Sequence, residues 1–212
     1  MAPRRVPVSQ CSKPSGWLGR LTLRRMNLSH SGVTDWGLGH VSIAADATIL
    51  DVGCGGGRTI AKLAATAVRG KVYGVDHAQA SVDASTKMNA IDIANGRVEI
   101  RSGSVSQLPF PADMFDLVTA IETHFWWPDL PHDIGEVFRV TKHGGTVLLV
   151  AEVYKGAGTT VSKILERRAG ATGLLMLSSD EHRSLLTDAG FSDVQVFEER
   201  SKGWISAVGR KG

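Results

Sequence analysis

Residues 121–127, IETHFWW, bring a carboxylate, an imidazole and three aromatic rings into one short stretch. Glu122 can orient an ammonium or bind a polar substrate. His124 can take a proton near neutral pH, since an unperturbed imidazole titrates at about 6.5. Phe125, Trp126 and Trp127 make a rigid apolar wall that also favours a cation by π attraction. The plainer readings stand beside these. His124 also suits a hydrogen-bonded position at a strand end, and at least one of the rings can pack on a following helix.

A second stretch, ILDVGCGGGRTI at 49–60, ends an apolar run in Asp51 and then gives up side chains at Gly53, Gly55, Gly56 and Gly57. Glycine costs a helix about 1 kcal/mol relative to alanine and weakens a strand, so bare backbone must be needed here. The apolar run before it reads as a strand and RTIAKLAATAV after it as a helix. Glycine at such a turn lets a ligand lie on the backbone, and the helix start offers unpaired N–H groups to an anion. Asp76 ends the next strand candidate, KVYGVD, and an acid there grips the hydroxyls of a ribose. Together they indicate a nucleoside-containing cofactor. A tight turn without a ligand explains the glycines but not the spaced acid.

Other chemistry is excluded or weakened. Cys11 and Cys54 make no disulfide framework, which leaves a reducing, cytoplasmic setting as the default. Cys54 and His124 lack a third or fourth ligand at plausible spacing, so no metal site is expected. The formal net charge is +3, but residues 1–32 hold six basic residues and no acid. The remainder carries 18 basic against 21 acidic residues, so basicity is confined to one end and a nucleic-acid partner is disfavoured. No apolar run is long enough for a membrane span. Residues 1–15 read as a flexible tail; they are faintly like an organellar transit peptide and lack the apolar core of a secretory signal.

These side chains must be positioned by larger elements. Residues 16–44 read as helical, with Trp17, Leu18, Leu21, Met26 and Leu28 at helical intervals, a break at SHSG, and Thr34 or Asp35 capping a second short helix. From Thr48 onward strands and helices alternate. The strands are TILDVG, KVYGVD, RVEIRSG, FDLVTAI and GTVLLVAEV. The intervening helices include AQASVDASTKMNAIDIAN and LPHDIGEVFRVT. Several strands are apolar on both faces, which predicts an α/β, doubly wound, mostly parallel sheet covered on both sides. SSDEHRSLLTDAG reads as a last helix, capped by Ser179 or Asp180 and stopped at Gly190. DVQVFEER and GWISAVGR flank a hairpin turn at SKG, making seven strands with an antiparallel end.

The glycine segment resembles motif I of the class I S-adenosylmethionine-dependent methyltransferases, D/E-x-G-x-G-x-G, matched at Asp51, Gly53, Gly55 and Gly57. VYGVDHAQASVDAS, GSVSQLPFPADMFDLVTAIE and RVTKHGGTVLLVAEV resemble later segments in order. The likeness spans residues 47–152 and is nearest the small-molecule enzymes of the ubiquinone and menaquinone type. It implies a Rossmann-like fold with S-adenosylmethionine as cofactor. It places Gly53, Cys54, Gly55 and Gly57 against the methionine part, with Asp51 nearby, Asp76 on the ribose and His77 against the adenine. Val105 and Ile121 complete the set. Ser104 stands where relatives often have an aspartate, and a neutral acceptor binds an amino group more weakly. IETH stands in place of N-P-P-[YFW], which favours a small acceptor over amino groups of nucleic acids and proteins.

The resemblance also makes residues 16–45 a helical cap on a single domain, 16–212, and residues 155–177 an acceptor-side insertion. Asn27, His30, Asp35 and Trp36 in the first, and Glu152 and Tyr154 at the root of the second, are the expected acceptor contacts, beside Trp126 and Trp127. A surface loop and a structural crossover explain the same segments. The expectation is methyl transfer to a small, apolar or aromatic molecule, with Glu122 and His124 as the catalytic candidates. The alternatives are an RNA or protein methyltransferase using the basic N-terminus, and a non-catalytic cofactor-binding regulator.

Overall fold

The structure, a computed structural model, describes residues 31–212. Asn27, His30 and the first half of the expected cap, residues 16–30, lie outside the described residues. Seven strands form one sheet in the order β3-β2-β1-β4-β5-β7-β6. They are β1 (Thr48–Val52), β2 (Lys71–Asp76), β3 (Val98–Ser102), β4 (Phe115–Ile121), β5 (Thr141–Ala151), β6 (Phe191–Glu199) and β7 (Trp204–Lys211). The first five are parallel, and β7 runs antiparallel to both β5 and β6. The order turns outward on either side of β1 and β4, so the crevice for a ligand opens at their carboxyl ends.

The described helices are α1 (Ser31–Leu38), α2 (Arg58–Thr66), α3 (Gln79–Met88), α4 (Ala90–Ala94), α5 (Leu130–Val140), α6 (Thr160–Thr172) and α7 (Ser179–Asp188), with a 3-10 turn at His124–Trp126. Alternate strand residues feed two cores. Ile49, Val72, Leu117 and Leu148 pack with Val33 of α1 and with Ile60 and Leu63 of α2. Leu50, Tyr73, Val118 and Leu149 pack with Ile134 and Val137 of α5 and Leu186 of α7. Side chains such as Ile60 and Leu63 are fully buried, each contributing about 1.5–3 kcal/mol.

Three local expectations are corrected. Thr34 and Asp35 lie inside α1, which starts at Ser31, rather than capping it. Asn89 divides the single helix expected over 78–95: its amide donates to the carbonyls of Gly57 and Ser85, and the chain restarts as α4. The cap of α7 is Ser178, in a reciprocal capping box with Glu181.

Candidate active site

β1 ends at Val52, and the backbone then takes left-handed φ values of 75°, 50° and 81° at Gly53, Gly55 and Gly57. Only glycine takes these without steric cost. The loop is strapped to β2, since the N–H groups of Gly53 and Cys54 both donate to the carbonyl of Val75, at 2.8 and 3.1 Å. A Cβ on Gly53 would meet Thr123 Oγ1 at 2.6 Å. A Cβ on Gly57 would meet Ser85 Oγ and Asn89 Nδ2, both at 2.6 Å. Gly57 therefore admits α3 against the start of α2 and stands off the cavity wall, contrary to its expected place beside the ligand.

A cavity of about 350 Å³ opens above this loop. Asp76 faces it and is almost fully buried. Its carboxylate is held in place by two backbone donors, Gly55 N to Oδ2 at 3.0 Å and Ala78 N to Oδ1 at 2.9 Å. Each oxygen keeps acceptor capacity for a hydroxyl from the cavity. Gly53, Cys54, Gly55, His77, Ser104, Val105, Ile121, Glu122, Trp126 and Trp127 also line it. Ser104 Oγ accepts from Ser106 N at 3.2 Å and keeps its own O–H to give. Burial, and then the charges of Asp76 and Asp51, push the Cys54 thiol well up, so it is a neutral wall atom rather than a nucleophile.

Asp51 stands beneath the wall rather than on it. It shares a 2.7 Å hydrogen bond with Thr119 Oγ1. Burial raises its pKa to about 7; the Thr119 bond opposes this rise and the charge of Asp76 adds to it.

The end of β4 supplies the opposite wall. Glu122 is buried and has a left-handed φ of 61°, a conformation that costs a non-glycine residue about 1–3 kcal/mol. The surroundings hold it there. Glu122 N donates to Val150 O at 2.9 Å, and Thr123 Oγ1 donates to Val52 O at 3.2 Å. Trp127 Nε1 in turn donates to Thr123 Oγ1 at 3.0 Å, which fixes the indole beside Trp126 and Pro128 on the wall.

His124 does not reach the cavity. It is 2 % exposed, with its Nε2 3.0 Å from His182 Nε2. His182 Nδ1 donates to the carbonyl of Ser178 at 2.8 Å, so its Nε2 is the acceptor and His124 carries its proton on Nε2. Burial, reinforced by His182, lowers the His124 pKa well below the ordinary histidine range. A buried neutral imidazole already committed to a partner does not meet the requirement for a general base. Trp36 also faces elsewhere, with its ring 4.6 Å from His40 and 5.9 Å from Trp204. Tyr154 packs with Phe125, Leu174 and Ile205, and neither it nor Glu152 lies on the wall.

Several wall residues were not anticipated from the sequence. Ser31 and Thr34 of α1 are two, and Thr123 is a third. Arg58 is the only lysine or arginine on the wall among the described residues, at the first position of α2. Its signal was present, because the residue that opens a helix after a glycine loop stands beside whatever the helix start binds. The donor set thus offers a carboxylate for hydroxyls, a guanidinium for an anion, bare backbone between them, and an indole wall. That combination fits a nucleoside joined to an amino acid.

The family model described as a methyltransferase domain matches residues 50–149. A 27-O-demethylrifamycin SV methyltransferase of Amycolatopsis mediterranei is 29 % identical over 184 residues, covering 84 % of this chain and 67 % of that protein. A sterol 24-C-methyltransferase of Neurospora crassa is 35 % identical over 109 residues, 50 % of this chain and 28 % of that one. A 2-methyl-6-phytyl-1,4-hydroquinone methyltransferase of Arabidopsis thaliana is 28 % identical over 167 residues, 79 % and 46 % respectively. The chain thus spans from 28 % to 67 % of the length of these relatives. Among solved structures, a methyltransferase from Aquifex aeolicus superposes with a TM-score of 0.71 at 18 % identity, over 90 % of this chain and 97 % of that one. The geranyl diphosphate C-methyltransferase of Streptomyces coelicolor, solved with S-adenosyl-L-homocysteine, gives 0.73 at 15 % identity over 98 % and 89 %. These two likenesses establish the fold. With Gly53 and Gly55 of motif I on the cavity wall and the family model running from β1 into β5, the chain belongs to the class I S-adenosylmethionine-dependent methyltransferases.

Proposed function

We propose that the protein transfers a methyl group from S-adenosylmethionine to a small, largely apolar or aromatic acceptor. The observation that carries this is one cavity lined by two unlike sets of residues. Asp76 and the glycine backbone are the polar set; Ile121, Trp126, Trp127 and Pro128 are the apolar set, which we read as the acceptor end. Its volume of about 350 Å³ lies within the range of ligand pockets, ~300–1,000 Å³. Relatives named for a rifamycin, a sterol and a hydroquinone support a small organic acceptor.

When bound, the cofactor supplies a methyl group on a sulfonium, which an in-line nucleophile displaces. The residues of this chain align the partners. Asp76 accepts from the ribose hydroxyls, with Gly55 N holding its carboxylate in orientation. Arg58 pairs with the methionine carboxylate at the start of α2, where the helix dipole also favours an anion. His77, Ser104 and Val105 border the adenine. Trp126 and Trp127 exclude water and hold the acceptor flat, and alignment of this kind is worth up to ~7–11 kcal/mol. Glu122 is the side chain placed to orient the ammonium or take an acceptor proton. His124 acts on the site only through packing.

Calorimetry with S-adenosylmethionine, S-adenosylhomocysteine and NAD is the first test, with binding of the two sulfur nucleosides alone expected. The second is incubation with methyl-labelled cofactor and a metabolite extract, with label expected in a small organic product. Label in RNA or protein, with binding that weakens steeply with salt, would overturn the acceptor class.

A further inference from the structure

The thirteen-residue helix α6 lies in the segment between β5 and α7. Its inward side carries Ser162, which is buried, with Leu165, Glu166 and Ala169 half-buried. Its outward arc carries Val161, Lys163, Ile164, Arg167 and Arg168, all exposed. At 100° per residue these five span one continuous face, with Val161, Ile164 and Arg168 at i, i+3 and i+7. No acid lies on that arc. The one carboxylate of the helix, Glu166, accepts from Gly156 N at 2.9 Å on the other side. Two aliphatic side chains stand out despite their cost in water, Val161 at 59 % and Ile164 at 45 % exposed. Leu175 follows, just past the helix end, at 44 %.

We propose that this face of α6 seats on an anionic lipid surface, next to the acceptor end of the cavity. The chemistry of the face selects this occupant. Protein interfaces favour aromatic rings and deplete lysine; this face has no aromatic ring, and Lys163 and Arg167 flank the bare aliphatic groups of Val161 and Ile164. That is the composition of a helix lying in a bilayer interface, with aliphatic side chains in the acyl boundary and cations at the phosphates. The connection to the site is direct. Leu175 N donates to Phe125 O at 3.0 Å, and Leu165 and Trp126 pack on the cluster of Phe125, Tyr154 and Leu174. Trp126 is also a wall of the cavity. Leu165 of α6 and Trp126 of the cavity wall thus pack on one apolar cluster, and on this proposal a lipophilic acceptor passes from bilayer to site with little exposure to water. The surface stands on its own observations; only its purpose rests on the proposed methyl transfer.

The test is cosedimentation of the full chain with vesicles of phosphatidylcholine alone and of equimolar phosphatidylcholine and phosphatidylglycerol. The wild type should partition onto the anionic vesicles and lose binding as salt rises. Val161→Asp/Ile164→Asp and Lys163→Ala/Arg167→Ala should each lower the partition by on the order of tenfold or more. Both double variants should bind S-adenosylhomocysteine as the wild type does, which controls for folding. Absence of wild-type binding to anionic vesicles overturns the proposal. So does a loss confined to the cation variant, which would mean attraction to any polyanion, RNA included. Unchanged binding in both variants would place the attraction elsewhere, in the basic residues before Gly32, and would equally overturn it. Failure to bind S-adenosylhomocysteine would instead count against the proposed function, whatever the vesicles show.

Discussion

His124 Nε2 donates to His182 Nε2 at 3.0 Å, joining the turn after β4 to the middle of α7 across 58 residues of sequence. Both rings are buried, and the direction of the bond follows from Ser178 O, which accepts the proton of His182 Nδ1. The pair anchors the segment that carries Trp126 and Trp127.

His124 is accordingly expected to position this turn rather than to move a proton. His124→Ala leaves a buried acceptor without a donor, which costs about 1–3 kcal/mol of stability. Burial lowers both imidazole pKa values in the folded chain, below the ordinary value near ~6.5 that they regain on unfolding. Their stability is complete above that value and is lost as pH falls below it, because the unfolded chain then binds more protons. Denaturant melts at pH 5 to 8 should show this slope in the wild type and a shallower one in His124→Gln/His182→Gln. The pH profile of turnover should keep its shape in the double variant, and loss of a basic limb would restore His124 as a base.

Asp51 predicts a second pH dependence, in ligand binding. With a pKa near 7 it is largely protonated in slightly acid solution. A cationic methyl donor close by favours the ionised form, so donor binding should release a proton. Affinity should therefore rise as pH climbs towards 7 and level off above it. Asp51→Asn should flatten that curve. Titration calorimetry in buffers of different ionisation enthalpy reads the proton directly.

Asp76→Ala removes the proposed acceptor of the ribose hydroxyls. A hydrogen bond to a charged group is worth about 1.5–3 kcal/mol, so affinity for both sulfur nucleosides should fall at least tenfold. Equal affinity in the variant would place the ribose elsewhere.

Arg58→Ala should act on one end of the ligand only. S-adenosylhomocysteine should bind roughly tenfold more weakly or worse. Methylthioadenosine, which lacks the amino-acid carboxylate, should bind as it does to the wild type. A parallel loss for both ligands would argue against the carboxylate contact.

Glu122→Gly separates strain from function. Relief of the left-handed backbone offsets about 1–3 kcal/mol of the cost of losing a buried side chain, so the melting midpoint should move little. Turnover should fall, with Glu122→Gln falling as well. A variant that keeps full activity would leave alignment by the indole wall as the main contribution.

Much of this molecule was legible in its sequence, because local terms dominate where strand, turn and helix are chosen. Short apolar runs between helices and turns marked all seven strands, and four glycines before RTIAKL marked the crevice. Asp76 at the end of the second strand was singled out too, and it faces the same cavity. Tertiary structure decided where the side chains turn. Gly53 and Gly57 read alike, yet one makes room for Thr123 and the other for Ser85 and Asn89. Arg58 and Thr123 are ordinary residues until the sheet brings the ends of β1 and β4 together. His124 carried the clearest chemical signal in the chain, and its hydrogen-bond partner is His182, which only the packing of α7 brings within 3.0 Å. A short-range pattern records the backbone state a residue prefers; what its polar atoms bond to depends on contacts made across the fold.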